Sequence, residues 1–238
     1  MSKLHIITPV KDSLSTTLRT IESVMSSSTT FEFDYTVYND FSADETTVEL
    51  ELAAAKYGFK LVNLKDITDS LSPNYLLVLQ IAQKKALQDN AHLVIIESDV
   101  IIKSDTVQQM YNYTSLLDNP GMIAAVTTDY NSKINFPYLY AQKFNSGVID
   151  TSKRLSFCCT LLCIDYLKVF NFGDLNPEKA WYDVFISHKS VELGFRNYLL
   201  TLLQVTHFPH SSRPWKQLKY KHPLKYYWMK LIKNPDRI

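Results

Sequence analysis

The chain has 238 residues, 46% of them apolar, and its 25 basic and 24 acidic side chains leave a formal net charge of +1. That length and composition suit one large domain with a real core, and they exclude a disordered chain. The balanced charge excludes a whole-protein basic field of the kind that attracts nucleic acid. No apolar stretch reaches the length of a membrane span, and the segment Met1 to His5 leads straight into a strand-like run without an apolar leader. Cys158, Cys159 and Cys163 crowd into one apolar segment, which does not read as a disulfide framework. A reducing, cytoplasmic setting is expected.

Ile6 to Val10 reads as a short buried strand, followed by Leu14, Leu18, Ile21 and Met25 at helical spacing. Phe33 to Tyr38 is a β-branched and aromatic strand, and Asn39 to Ser42 a loop. Asp44 is then placed to cap a helix carrying Val48, Leu52 and Ala55. A third strand, Phe59 to Leu64, follows Gly58. Ser72-Pro73 predicts a helix start, the helix running from Asn74 to Gln88 into the strand His92 to Ile96. Asp105 opens a helix with Val107, Met110, Tyr111, Thr114 and Leu117 on its apolar stripe. Asn119-Pro120-Gly121 ends it, and Met122 to Val126 forms the next strand. This alternation predicts right-handed crossovers and an α/β fold with an open, twisted, mostly parallel sheet flanked by helices.

Residues 129 to 156 lack clear periodicity and are rich in aromatic and polar side chains, which suits a loop or small hairpins on a substrate side. Leu155 to Ile164 reads as an apolar strand, Asp165 to Phe170 as a short helix, Asp183 to Leu193 as a helix ended by Gly194, and Tyr198 to Val205 as a strand. The tail from Arg213 onward interleaves lysines with Trp215, Tyr220, Tyr226, Tyr227 and Trp228. It reads either as a helix packed on the domain with its lysines in water, or as a basic aromatic segment resting on the inner face of a membrane near a lipid-linked acceptor.

The most informative stretch is Glu97-Ser98-Asp99, directly after the run His92 to Ile96. Two acids one residue apart at the end of a buried strand form a carboxylate site at a sheet edge, where open α/β sheets hold ligands. Their oxygens suit hard Mg²⁺ or Mn²⁺, which usually keep positions for water and substrate phosphates. Alone, the same stretch is an ordinary solvated turn.

In order along the chain, Ile6-Ile7-Thr8-Pro9-Val10, Tyr38-Asn39-Asp40-Phe41-Ser42-Ala43-Asp44, Glu97-Ser98-Asp99 and Trp181-Tyr182-Asp183 resemble the landmarks of inverting family 2 glycosyltransferases with the GT-A fold. Gly194-Phe195 and Val205-Thr206-His207 resemble that family's later turn and its strand ending in histidine. The resemblance implies one GT-A domain, with residues 1–127 as a nucleotide-sugar-binding half, 128–212 as an acceptor and catalytic half, and 213–238 as a basic, aromatic, helical tail. It implies that Thr8, Pro9 and Asp40 contact the nucleotide, and that Glu97, Ser98 and Asp99 face the donor diphosphate. Asp99, His207 and Glu97 would hold a divalent cation, Mn²⁺ or Mg²⁺. Asp183 would act as catalytic base, with Trp181 and Tyr182 on the acceptor side. The implied partners are a nucleotide-diphosphate-sugar, UDP-sugar favoured, and a glycan or lipid-linked acceptor in polysaccharide or glycolipid assembly. The chain departs from the family at Glu97, Phe41, Tyr182, Phe185 and Lys189.

Each residue also has an ordinary reading. Asp183 fits a helix cap, His207 a satisfied half-buried histidine, Thr8 a buried strand hydroxyl, and Trp181 and Tyr182 core aromatics. Asp40 and Asp44 fit turn and cap positions. Two other functions compete. A sugar-phosphate nucleotidyltransferase needs a glycine-rich basic loop after the first strand, and Thr8-Pro9-Val10-Lys11-Asp12 is not one. A non-catalytic nucleotide- or glycan-binding module of the same fold is compatible with the Glu97 and Tyr182 departures.

Overall fold

The computed structural model describes residues 4–144, 147–179 and 181–208, together with 224, 225 and 228. Most of the tail from Arg213, and with it the expectation of a membrane contact, lies outside the described residues. No helix among the described residues is long and apolar enough to cross a membrane.

The elements follow the predicted alternation. Strand β1 (Leu4–Val10), helix α1 (Leu14–Met25), β2 (Phe33–Asn39), α2 (Asp44–Tyr57), β3 (Lys60–Asn63), α3 (Tyr75–Asp89) and β4 (His92–Ile96) build the first half. Then come β5 (Val100–Ile101), α4 (Thr106–Leu116), β6 (Pro120–Thr128), β7 (Val148–Asp150), β8 (Cys159–Leu162), α5 (Ile164–Val169), α6 (Tyr182–Glu192) and β9 (Arg196–His207). All nine strands join one sheet in the order β3-β2-β1-β4-β8-β6-β9-β5, with β7 also on β9. Because β8 is antiparallel to both β4 and β6, those two neighbours point the same way. The parallel pairs β1·β2, β1·β4, β2·β3 and β6·β9 extend that direction to most of the sheet, as expected.

Each sheet face carries its own core, because strands covered by helices on both sides bury alternate residues in opposite directions. On β4, Leu93 and Ile95 pack beneath α3, α5 and α6 with Val78, Tyr166 and Ile186. Their neighbours Val94 and Ile96 face the α1, α2 and α4 side with Ile21, Leu50 and Met110.

Several local expectations differ from the structure. Helix α2 has Ala43 at its cap, with Asp44 in the first turn, and it buries Thr46, Thr47, Leu50 and Ala53 while Val48 and Leu52 face solvent. The inner stripe runs through threonines, one of which accepts a bond from the Asn39 amide, so apolar periodicity pointed to the wrong face. Pro73 does not open α3: Ser72-Pro73 is cis, and Asn74 is the cap. The apolar strand predicted over Leu155 to Ile164 is confined to β8. The 129–156 segment holds a 3₁₀ turn at Leu139–Lys143 and the short strand β7.

Pro120-Gly121 opens β6 rather than merely ending α4. A Cβ on Gly121 would lie 2.1 Å from Ser190 Oγ and 2.8 Å from Phe195 Cβ, so α6 and the start of β9 approach the β6 backbone more closely than a methyl group allows. Gly121→Ala should therefore cost about 1–3 kcal/mol of stability, the usual penalty of overpacking, read from urea unfolding midpoints. An unchanged midpoint would show that α6 moves aside freely.

Candidate functional site

Sheet register brings the candidate residues together at one end of the sheet. The antiparallel pairing of β4 with β8 sets Ile96 opposite Cys159, and the Glu97 amide continues the ladder by donating to the Cys158 carbonyl at 3.0 Å. Glu97 and Cys158 therefore face each other one step beyond the strand. Three residues later β5 pairs antiparallel with the end of β9, Val100 opposite His207, and the Phe208 amide donates to the Asp99 carbonyl at 2.8 Å. The same arithmetic places Asp99 beside His207.

The resulting cluster is compact and nearly dry. Glu97, Cys158 and His207 each offer a ligand atom, all within 4.8 Å of one another. The Cys158 Sγ lies 3.5 Å from Glu97 Oε2 and 3.9 Å from His207 Nε2. Asp99 Oδ2 lies 3.6 Å from the same His207 nitrogen. The Phe136 carbonyl, 2.8 Å from Nδ1, can only accept, so it fixes a proton there and turns Nε2 toward the acids. Burial disfavours charge on the His207 ring, yet hydrogen bonding and charge from Asp99, with Glu97, outweigh it and raise its pKa. Burial, reinforced by the Glu97 charge, pushes the Cys158 thiol well above its ordinary range. Two carboxylates, an oriented imidazole and a thiol form a donor set that fits a divalent cation. Ser98, within this loop, is buried.

The proposed base lies a short chain segment away. Asp183 sits in the first turn of α6, whose cap is Trp181, so the cap reading does not hold. Its Oδ2 is 3.4 Å from Arg154 Nη1, and its Oδ1 accepts from the Val184 amide at 2.9 Å. The Arg154 guanidinium lies over the Trp181 and Phe136 rings, 5.5 Å and 5.9 Å from their centroids. From Arg154 to Cys158 is four residues, at most about 14 Å of extended chain. Ser156 anchors that span: its amide donates to the Tyr138 hydroxyl at 2.9 Å, and its hydroxyl lies 3.3 Å from the Cys158 sulfur. The partner of Asp183, Arg154, and the cluster member Cys158 thus lie on one short chain segment.

Other expected site residues have structural duties. Thr8 is fully buried and its hydroxyl accepts from Tyr35 at 2.9 Å. Its side chain shares the face of Ile6 and Val10, which turns it into the core. Pro9, on the opposite face, is partly exposed. Asp40 accepts from the Ser72 hydroxyl, the Asn74 amide and the Asn74 side chain, all within 2.9 Å, and so ties the end of β2 to the start of α3. Its geometry is that of a loop anchor. Asp40→Ala should destabilise the chain by roughly 2–4 kcal/mol by orphaning those donors; a loss below about 0.5 kcal/mol in thermal unfolding would contradict the anchor. Tyr182 is buried and stacks on Tyr75 at 6.4 Å, so it belongs to the core, whereas Trp181 stays partly exposed beside Arg154.

Two members of the site were not visible in the sequence. Cys158 read as one of three apolar-segment cysteines, and Arg154 lay in an unassigned loop. The antiparallel insertion of β8 brings both in.

No protein-family model and no curated protein matches the sequence. Solved structures do match the fold. Residues 1–349 of S. aureus TarS in complex with UDP-GlcNAc align with 98% of this chain and 66% of theirs, at TM-score 0.68 and 17% identity. The Pyrobaculum calidifontis mannosyltransferase PcManGT with GDP-Man and Mn²⁺ aligns over 97% of this chain and 64% of its own, at 0.65 and 12%. GalNAc-T7 with UDP, GalNAc and Mn²⁺ covers 89% and 45%, at 0.65 and 11%. The chain thus spans 45 to 66% of the length of these solved chains and shares with them the GT-A fold that its sequence landmarks suggested.

Proposed function

We propose that this chain is a glycosyltransferase that moves a sugar from a nucleotide-diphosphate donor to a hydroxyl acceptor with inversion, in polysaccharide or glycolipid synthesis. The observation that carries the reading is the meeting of Glu97, Asp99 and His207 at the sheet edge, with Asp183 paired to Arg154, four residues before Cys158. That the solved structures sharing the fold bind GDP-Man, UDP-GlcNAc and Mn²⁺ supports it.

Glu97 and His207, flanked by Asp99, would hold Mn²⁺ or Mg²⁺. When bound, such a cation offsets the charge that develops on a departing diphosphate. The remaining work belongs to the chain. Asp183 accepts the proton of the acceptor hydroxyl as that oxygen attacks the anomeric carbon from the side opposite the leaving group. Its contact with Arg154, at 3.4 Å, is longer than a tight charge-assisted bond. Arg154 then positions the carboxylate, and Trp181 offers an apolar face to a sugar ring. Residues 1–127 form the donor half and 128–212 the acceptor half in this reading.

The nucleotidyltransferase alternative loses support at the turn after β1. Lys11 there donates to the Phe41 carbonyl, and Asp12 binds the Ser42 hydroxyl and the Ala43 amide, so the turn braces a neighbouring loop. Incubation with UDP- and GDP-sugars plus Mn²⁺ should release nucleoside diphosphate. Donor binding without any release would favour the non-catalytic module.

A further inference from the structure

Cys158 is a donor that the carboxylate-and-histidine reading leaves out. It is 2% exposed and lies on β8's approach to the sheet edge, where pairing with β4 forces it opposite Glu97. Cys159 and Cys163 are equally buried but face elsewhere: Cys159 contacts Met110, and Cys163 caps α5. Among the described residues, the donor set that closes to within 4.8 Å at this edge contains sulfur, nitrogen and one carboxylate.

We propose that Cys158 is the third protein ligand of the cation site, and that it biases the site toward borderline Co²⁺ or Zn²⁺ over the harder Mg²⁺ and Mn²⁺. The proposal rests on the cation reading above and adds the identity of a ligand. Its geometric basis is the spacing of the donors. A tetrahedral ion with nitrogen at about 2.0 Å and sulfur at about 2.3 Å sets its ligands roughly 3.3 to 3.6 Å apart. Octahedral Mg²⁺, at about 2.0–2.1 Å, demands neighbouring ligands roughly 2.9 Å apart. The sulfur-to-Glu97 separation, 3.5 Å, falls in the tetrahedral range; the sulfur-to-His207 separation, 3.9 Å, is a few tenths of an ångström wider, and both exceed the octahedral Mg²⁺ spacing. Three protein ligands leave a further position for a substrate oxygen, the pattern of catalytic sites. Thiolate ligation also selects softer ions, whereas an all-oxygen site does not. On binding, the cation forms a bond to sulfur as the thiol proton leaves to solvent.

Titration of the full chain with Co²⁺, followed by absorption spectroscopy, tests this without any activity assay. Visible ligand-field bands report binding, and a near-ultraviolet thiolate-to-cobalt charge-transfer band reports sulfur ligation. Both should appear in the native chain. Cys158→Ser should lose the charge-transfer band and weaken Co²⁺ binding by at least ~10-fold, with Mg²⁺ binding changing far less. Cys159→Ser and Cys163→Ser should keep the band, and they assign it even where Cys158→Ser fails to fold. Ligand-field bands without charge transfer in the native chain would overturn Cys158 as a ligand while leaving the cation site standing. Charge transfer that survives Cys158→Ser overturns it too. No Co²⁺ binding at all would overturn the cation reading itself.

Discussion

Asp183→Asn should lower sugar transfer by roughly 10²–10⁴-fold, the range that a positioned general base contributes. The amide is isosteric and keeps the Val184 hydrogen bond to Oδ1, so α6 should stay in place. The loss should therefore fall on kcat, with donor affinity by calorimetry and the thermal midpoint close to those of the native chain. Arg154→Lys makes a sensitive companion. The guanidinium lies over two aromatic rings while reaching the carboxylate, and an ammonium cannot reproduce that planar contact. Full turnover by Asp183→Asn would remove Asp183 from the chemistry and return it to a residue of the helix's first turn.

His207→Ala should weaken Mn²⁺ binding by at least ~10²-fold, since loss of an outer-shell partner alone costs 10–100-fold and His207 offers its nitrogen directly to the cluster. The ring also lies 3.6 Å from the buried Asp99 carboxylate, so its removal takes away that partner and the cation-free chain should lose stability as well. His207→Gln keeps a polar group near Phe136 and separates the two effects: it should recover stability before it recovers metal affinity. Calorimetry with Mn²⁺ on both variants reads the result. Native affinity in His207→Ala would exclude the imidazole as a ligand.

The strand and helix order was legible because buried parallel strands are written as apolar runs punctuated by helix stops, and His92 to Ile96 matches β4 residue for residue. The acidic pair and the late histidine were legible because each ends a strand. Their meeting is a matter of register, and register between strands distant in sequence leaves no mark on either one. Cys158 shows the consequence: nothing in an apolar stretch announces that β8 will run antiparallel between β4 and β6 and present that thiol to Glu97. Thr8 was recoverable. It has the same parity as Ile6 and Val10, so simple alternation assigns it to the core face that Tyr35 occupies. The inner face of α2 was not, because Thr46 and Thr47 fill positions that a hydrophobicity reading gives to larger residues, leaving Val48 and Leu52 outside. Arg154 lay in a stretch without periodicity, where contacts are set by neighbouring elements.

A cation and a donor diphosphate should meet where Glu97, Asp99, Cys158 and His207 converge. Anomalous diffraction from a crystal soaked with Mn²⁺ and a UDP- or GDP-sugar would locate both. One manganese peak is expected, bounded by Glu97, His207 and Cys158, with the diphosphate beside it and the anomeric carbon facing Asp183. Manganese bound elsewhere, or a donor seated away from the ends of β4 and β9, would contradict it.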